Sequence, residues 1–283
     1  LDTVLLGIEG AATTMASTSD HHLDHHLDGD RALTQLLWVG RQVPSRGPKR
    51  ALDLDAIAGA ATRIADAEGL AAVSMQRVAR ELDFTKMALY RYVTGKAELT
   101  ALMIEAAVGE PPDLGAVPGG WRPRITEFAE RLAATWQHHP WLPWATLGDR
   151  VMGPREVGWI ERAVEALDGA PLDGTEKMDA VFVVCGHIRN TQSTATAGTQ
   201  PWNVDEHLDP ALRRLVPDYA DRYPALAAAV TGGSIGSGGG ADDNGRAFGL
   251  GCILDGLAAL VATRSVLDGA HPCAPAKTEA VRR

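Results

Sequence analysis

The chain has 283 residues, 36 of them acidic and 27 basic, for a formal net charge of −9; apolar residues make up 45% and charged residues 22%. That is ordinary globular usage, which excludes wholesale disorder, and the length suits two domains or one large domain with a small partner. Three scattered cysteines (Cys185, Cys252, Cys273) with no CxxC pair argue against a disulfide-stapled secreted fold and fit a reducing cytoplasm. No apolar run is read as reaching the roughly 20 residues of a membrane span, so no membrane partner is expected. Val4 to Thr14 lacks the basic flank of a signal peptide, and Met15 is a candidate natural start.

The charge is unevenly placed. Residues 41–100 hold ten bases against seven acids, a local +3 that leaves the rest of the chain at −12. Arg41 to Arg50 alone carries four bases and no acid. An acidic protein with one basic segment binds a polyanion locally while its body limits nonspecific sticking.

Residues 1–45 read as an N-terminal extension. The run His21-His22-Leu23-Asp24-His25-His26-Leu27-Asp28 has metal-ligating side chains, but its composition reads first as a solvated tail. Residues 31–40 predict a short amphipathic helix, and Val43 to Lys49, with two prolines and a glycine, predicts a linker. From Leu52 the pattern sharpens. Leu54, Ile57, Ala61, Ile64 and Ala65 recur at helical spacing, acids sit at the start and Gly69 stops the helix. Ser74 caps a second helix with Met75, Val78, Ala79 and Leu82 as its stripe. After the break Asp83-Phe84-Thr85 comes a short segment, Lys86 to Val93, and then a fourth helix, Ala97 to Val108.

The remainder also reads as helical, with segments at Trp121–His138, Pro154–Leu167, Glu176–Thr196, Pro224–Val230 and Gly245–Leu267, and loops at 109–120, 168–174, 199–223 and 232–240. The expectation is an all-α protein. An N-terminal three-helix helix-turn-helix domain (46–100) joins a larger helical ligand-binding and dimerisation domain (101–270), and 271–283 form a tail.

Two helices joined by a tight break, the second short and polar on one side, form a helix-turn-helix, whose second helix lies in the major groove while the first braces it. Val78, Ala79, Leu82, Phe84, Leu89 and Val93 are expected to make its small core, leaving Thr85, Lys86, Met87, Ala88, Tyr90, Arg91 and Tyr92 near the presented surface. Lys and Thr reach base edges, Ala and Met touch thymine methyls, and Tyr hydroxyls and Lys reach phosphates. Met87 reads equally as core, Tyr90 is expected to pack as well as contact, and Arg77 and Arg80 read first as solvated or ion-paired residues.

Across residues 52–104 the sequence resembles the TetR/AcrR family of transcriptional repressors. Ile64-Ala65-Asp66-Ala67-Glu68-Gly69 through Ser74-Met75-Gln76-Arg77-Val78-Ala79-Arg80-Glu81-Leu82 is similar to that family's first two helices. Leu89-Tyr90-Arg91-Tyr92-Val93 with Lys96, Leu99 and Leu102 is similar to its recognition and fourth helices. The resemblance implies that Gln76 reads a base or phosphate and that Thr85, Lys86, Met87 and Ala88 face the groove. It further implies that Tyr90, Tyr92 and Lys96 meet phosphates, and that Arg46, Lys49 and Arg50 form a basic arm suited to a minor groove. Asp83 departs from the glycine usual in the turn; Asp tolerates positive φ better than most residues, so the turn is expected to survive with modest strain.

The resemblance, loosely to the tetracycline-repressor-like subgroup, also implies a C-terminal domain that binds a small molecule and forms a homodimer. Ligand binding would then change the spacing of two DNA-reading heads on a double-stranded operator. Six of the seven tryptophans follow residue 120. Trp144, Met152, Trp159, Phe182, Cys185, His187 and Asn190 are candidate ligand-binding residues, with ordinary core as the alternative. Ala180, Val184, Leu250, Leu254, Leu257 and Val261 are candidate dimer contacts, although burial within one chain also accounts for them.

An enzyme is the weaker reading, because no HExxH occurs and no GxSxG elbow is read: the one literal match, Gly232 to Gly236, follows a helix in a Gly/Ser stretch, whereas an elbow needs a strand before it. Gly236 to Ala241 formally fits GxGxxA but lies in a Gly/Ser stretch that follows a helix rather than a strand. His138-His139 before Pro140 reads as a helix end, and no cofactor or metal site is expected. The remaining rival is a helical protein-interaction module that does not touch DNA.

Overall fold

Every regular element among the described residues of the computed structural model is helical; those residues are 29–40, 52–197, 215–232 and 241–269. The helices are α1 (29–39), α2 (Leu54–Glu68), α3 (Met75–Glu81), α4 (Lys86–Leu89), α5 (Lys96–Val108), α6 (Trp121–His138), α7 (Leu142–Ala145), α8 (Pro154–Ala166), α9 (Gly174–Ala197), α10 (215–218), α11 (Pro224–Gly232) and α12 (Ala241–Gly269). A 3-10 turn, Leu70–Ala72, follows α2. The His21–Asp28 run, the basic arm and the Gly236–Ala241 motif lie wholly or largely outside the described residues.

The chain divides into two compact units, Leu1–Pro111 with His138–Trp159, and Pro112–Gln137 with Ile160–Arg283. In the first unit the start signals act as local chemistry demands. The Asp53 carboxylate accepts from the Ala56 N–H at 2.7 Å, and Ser74 Oγ accepts from the Arg77 N–H at 3.2 Å, each satisfying a backbone donor that the first helical turn leaves open. Gly69, at φ +84, ends α2. Ile57, Ala61, Ile64 and Ala65 of α2 and Leu99, Met103 and Ile104 of α5 are all buried, and the two helices pack along each other. Each large side chain removed from water there contributes about 1.5–3 kcal/mol.

Helix α1 docks on this unit through Leu33 and Leu36, which cluster with Ala101 and are flanked by Leu37, Leu54, Leu102 and Val151. Trp38 Nε1–H donates to the Met152 carbonyl at 3.0 Å. The segment 138–159 returns to the same unit. Asp66 Oδ1 accepts from His139 Nδ1–H at 2.8 Å and from Trp141 Nε1–H at 2.7 Å. The histidine pair therefore does end a helix, as expected, but its second member has a carboxylate partner 73 residues away that no local pattern reveals.

Helix α5 is locked to the start of α8. The buried Glu105 carboxylate accepts from the backbone N–H groups of Arg155 (2.9 Å) and Glu156 (3.1 Å), Arg155 donates back to the Glu105 carbonyl, and Trp159 Nε1–H donates to the Val108 carbonyl at 3.1 Å. Two glycines make room. A Cβ on residue 153 would collide with the Glu105 carboxyl group, and one on residue 158 would lie 2.5 Å from Pro111 Cγ.

In the second unit Ile125, Phe128, Ala129, Leu132, Ala133 and Trp136 form the buried stripe of α6, and Val181, Val184 and Ile188 that of α9. Helices α9 and α12 pack together, with Arg264 and Glu176 paired between them. Three expectations change here. The short helix α7, with a proline in its first turn, was not legible, and α10 falls inside what reads as a 199–223 loop. Residues Gly245–Ser265 of α12, with mean hydropathy 1.5, are long and apolar enough to cross a membrane by length and composition, contrary to the reading that no run qualifies.

Candidate functional site

The helix-turn-helix is built around a Schellman ending on α3. The Asp83 N–H bonds the Arg80 carbonyl at 3.3 Å and the Phe84 N–H bonds the Ala79 carbonyl at 2.9 Å, which requires a left-handed residue between Leu82 and Phe84. Asp83 supplies it at φ +61 and is the only non-glycine with positive φ among the described residues. The turn survives the departure from glycine, as expected. Beneath it Val78, Ala79, Leu89 and Val93 are buried and Leu82 half-buried. Phe84, expected in that core, is instead 39% exposed, because the left-handed turn leads the chain away from the core just before it.

Thr85 caps α4, its Oγ1 accepting from the Ala88 N–H at 3.2 Å. The helix proper is one turn, Lys86–Leu89, and the tighter turns that follow carry Tyr90 to Val93. Lys86 and Met87 project at its start, Met87 with 72% of its surface exposed, which settles the alternatives for Met87 in favour of the surface. Ala88, Tyr90 and Tyr92 are half-buried, and Lys86 Nζ sits 5.5 Å from the Tyr90 ring centroid, a cation–π contact that holds the ammonium at the surface. Gln76 is exposed on α3. Arg46 and Lys49 lie outside the described residues.

Lys96 is the first residue of α5 and exposed. A cation there opposes the positive end of the helix dipole, whereas an anion arriving at the same place is favoured by both. The Glu98 carboxylate reaches back to the Thr94 N–H at 2.7 Å and fixes the chain before Lys96.

Arg77 and Arg80 differ. Arg77 donates to Glu68 and to Glu81, each at 2.8 Å; these bonds raise the guanidinium pKa further and hold the Glu81 carboxyl below its usual range. Arg80 is exposed and enters no ion pair among the described residues.

The candidate ligand residues fall in both units. Trp144, Met152 and Trp159 belong to the first unit, where Trp144 is exposed, Met152 accepts from Trp38 and Trp159 is buried against the Val108 carbonyl. Phe182, Cys185, His187 and Asn190 lie on α9, and at about 100° per residue their directions spread over about 200°. Phe182 is exposed. His187 Nε2–H donates to the Arg246 carbonyl at 2.9 Å and occupies the space where Gly249 has no Cβ, which is a contact between helices. Burial pushes the Cys185 thiol up to about 11, and the nearby Arg189 offsets this in part. Sequence reasoning passed over Arg189, whose guanidinium stacks 5.3 Å from the Trp136 ring centroid.

For the candidate dimer residues the alternative reading, burial within one chain, is met in part. Val184, Leu250 and Leu254 are buried within the single chain, and Ala180, Leu257 and Val261 are half-buried. On α12 the four candidates share one inward stripe. The opposite stripe is exposed and carries Phe248, Cys252, Gly256 and Ala259, with Leu260 at its edge and Phe182 and Val183 exposed on α9. Apart from Asp255 and Thr263, that outer face is apolar or small, so periodicity alone did not distinguish the inner face of α12 from its outer one.

Residues 57–103 match the family described as "Bacterial regulatory proteins, tetR family", and residues 112–261 match "Tetracyclin repressor-like, C-terminal domain". The HTH-type transcriptional repressor DrrR1 of Streptomyces coeruleorubidus is 35% identical over 251 residues, covering 83% of this chain and 88% of that protein. The chain belongs to the TetR family. A second relative in sequence, an HTH-type transcriptional regulator of Saccharopolyspora erythraea, is 27% identical over 67% of this chain and 82% of its own length. Among solved structures, apo ActR from Streptomyces coelicolor superposes with a TM-score of 0.63 at 23% identity, over 75% of this chain and 98% of that one. ActR in complex with (S)-DNPA superposes with a TM-score of 0.59 at 25% identity, over 74% and 98%. The TetR-family assignment makes the N-terminal unit's helix-turn-helix a DNA-binding head, and the protein is a ligand-responsive transcriptional regulator.

Proposed function

We propose that the protein is a homodimeric repressor that holds a two-fold symmetric operator and releases it when a small molecule occupies its C-terminal body. The observation that carries this reading is the head itself. Thr85, Lys86 and Met87 stand at the exposed start of a capped recognition helix and Gln76 is exposed on the bracing helix; in this reading Tyr90, Tyr92 and Lys96 take phosphates. Arg46 and Lys49 extend the basic surface in sequence. Two such heads about 34–36 Å apart enter successive major grooves on one side of a duplex.

The second copy seats on the outward stripe of α12 and on Phe182 and Val183 of α9. Closed two-fold association of these helices buries an apolar surface that the single chain leaves in water. A helix that completes its core in this way accounts for its length and apolar character, and the working compartment is the cytoplasm, where DNA is. The effector is an apolar small molecule held by a few polar groups on α9, with Cys185, Asn190 and Arg189 as the side chains offered. It lowers DNA affinity by as much as it prefers the conformation with misplaced heads.

The test is selection of duplexes from random DNA with the purified full-length chain at near-physiological salt. A two-fold symmetric site is the expected outcome. Recovery of no motif by folded, dimeric protein, or binding that does not weaken with salt, overturns the reading in favour of a protein-interaction module.

A further inference from the structure

Helix α3 carries two arginines three residues apart, and the fold treats them in opposite ways. Arg77 turns toward α2 and is neutralised between Glu68 and Glu81. Arg80 turns to the other side, where Gln76, Ala79, Asp83, Phe84 and Lys86 join it around an open groove of about 510 Å³. Gln76 and Arg80, four residues apart, share one face of α3, Asp83 joins them from the turn that follows, and Lys86 closes the groove from the first turn of the recognition helix. The groove therefore holds two cations, one amide and one carboxylate, beside the residues that start the recognition helix.

We infer that Arg80 is a further DNA contact, one that takes a backbone phosphate and carries no sequence preference. This rests on the DNA-binding reading above. The bracing helix of a helix-turn-helix crosses the sugar–phosphate backbone while its partner enters the groove, so a guanidinium on the bracing helix meets phosphate rather than base edges. Arg80 is the arginine of α3 that forms no ion pair among the described residues, although Glu81 and Asp83 stand near it, and its fork of N–H donors matches phosphate oxygens. Asp83 in the same groove opposes a phosphate placed close to it, which confines the anion to the Arg80 and Lys86 side.

The experiment measures DNA affinity against salt concentration for the full-length chain, on a duplex recovered by selection and on a scrambled duplex of equal length. Arg80→Ala is expected to reduce the slope of log K against log salt by about 0.9, the value of one phosphate contact. Its affinity deficit relative to wild type then shrinks about 3.5-fold between about 50 and about 200 mM salt, equally on both duplexes. Arg80→Lys, which keeps a point charge, retains the slope, and Arg77→Ala keeps the slope while lowering thermal stability. An unchanged slope for Arg80→Ala, with unaltered melting, overturns the assignment, and so does a loss confined to the selected sequence. Absence of salt-dependent binding by the wild-type chain would overturn the DNA-binding reading itself, which separates the two failures.

Discussion

Glu105 of α5 and Gly153, one residue before α8, are fitted to each other: the carboxyl group occupies the space that any side chain at 153 would need. The carboxylate is not free to move aside, because both of its oxygens accept backbone N–H groups of the first turn of α8. Gly153→Ala is therefore expected to destabilise the first unit by about 1–3 kcal/mol, the usual cost of overpacking. Glu105→Ala alone should cost about 1–2 kcal/mol, as loss of a helix cap does. With Glu105 already removed, Gly153→Ala should cost little more, and denaturant unfolding of the two single variants and the double variant checks this. Additive losses would show that the two positions are independent.

The ion triad at α3 gives a pH dependence whose sign follows from Glu81. Its carboxyl pKa is lowered, chiefly by the hydrogen bond from Arg77, so the folded state gives up that proton more readily than the unfolded chain. The associated stability is present above the ordinary carboxylate pKa and is lost as pH falls through the lowered one. Glu81→Gln should thus melt below wild type at neutral pH, with the difference closing in acid. The effect is small because the group is exposed, and salt should weaken it. Thermal melts of both proteins from neutral pH into acid decide it, and a gap that persists in acid contradicts the assignment.

Phe248, 74% exposed on the outward stripe of α12, is the side chain with most to gain from a second copy. Burying it fully contributes about 1.5–3 kcal/mol per copy, and a two-fold axis uses it twice. Phe248→Glu is expected to raise the dimer dissociation constant by more than about tenfold. Leu254→Ala, on the buried face, should instead lower the stability of the protomer. Sedimentation at a series of concentrations separates the two outcomes. The exposed Cys252 provides a second readout on the same stripe: its thiol should react with an alkylating reagent faster in the Phe248→Glu variant than in wild type.

The parts of this molecule that were legible in the sequence are those fixed within a few residues. Asp53, Ser74 and Thr85 accept from a backbone N–H three residues on, and Gly69 ends its helix through its own φ, so caps and stops could be read directly. Phe84 was misplaced because its hydrophobicity argues for the core while the backbone angle of its neighbour decides where it goes. Long-range pairings left no such trace. Glu105 meets the α8 backbone 50 residues later and Asp66 meets Trp141 75 residues later, and nothing near any of these residues announces the other. The inner and outer faces of α12 failed for a different reason, since a helix apolar over most of its circumference has little periodicity to read.

The left-handed residue at the end of α3 also limits what the chain can become. At φ +61 a side chain branched at Cβ crowds the backbone, and only glycine, asparagine and aspartate visit that region at little cost. A saturation library at position 83 should therefore return a short alphabet, while exposed Met87 four residues away tolerates a broad one as far as folding goes. The head can thus drift in which operator it reads without drifting in shape, so that new binding sites are reached through Lys86 and Met87 on a turn that stays fixed.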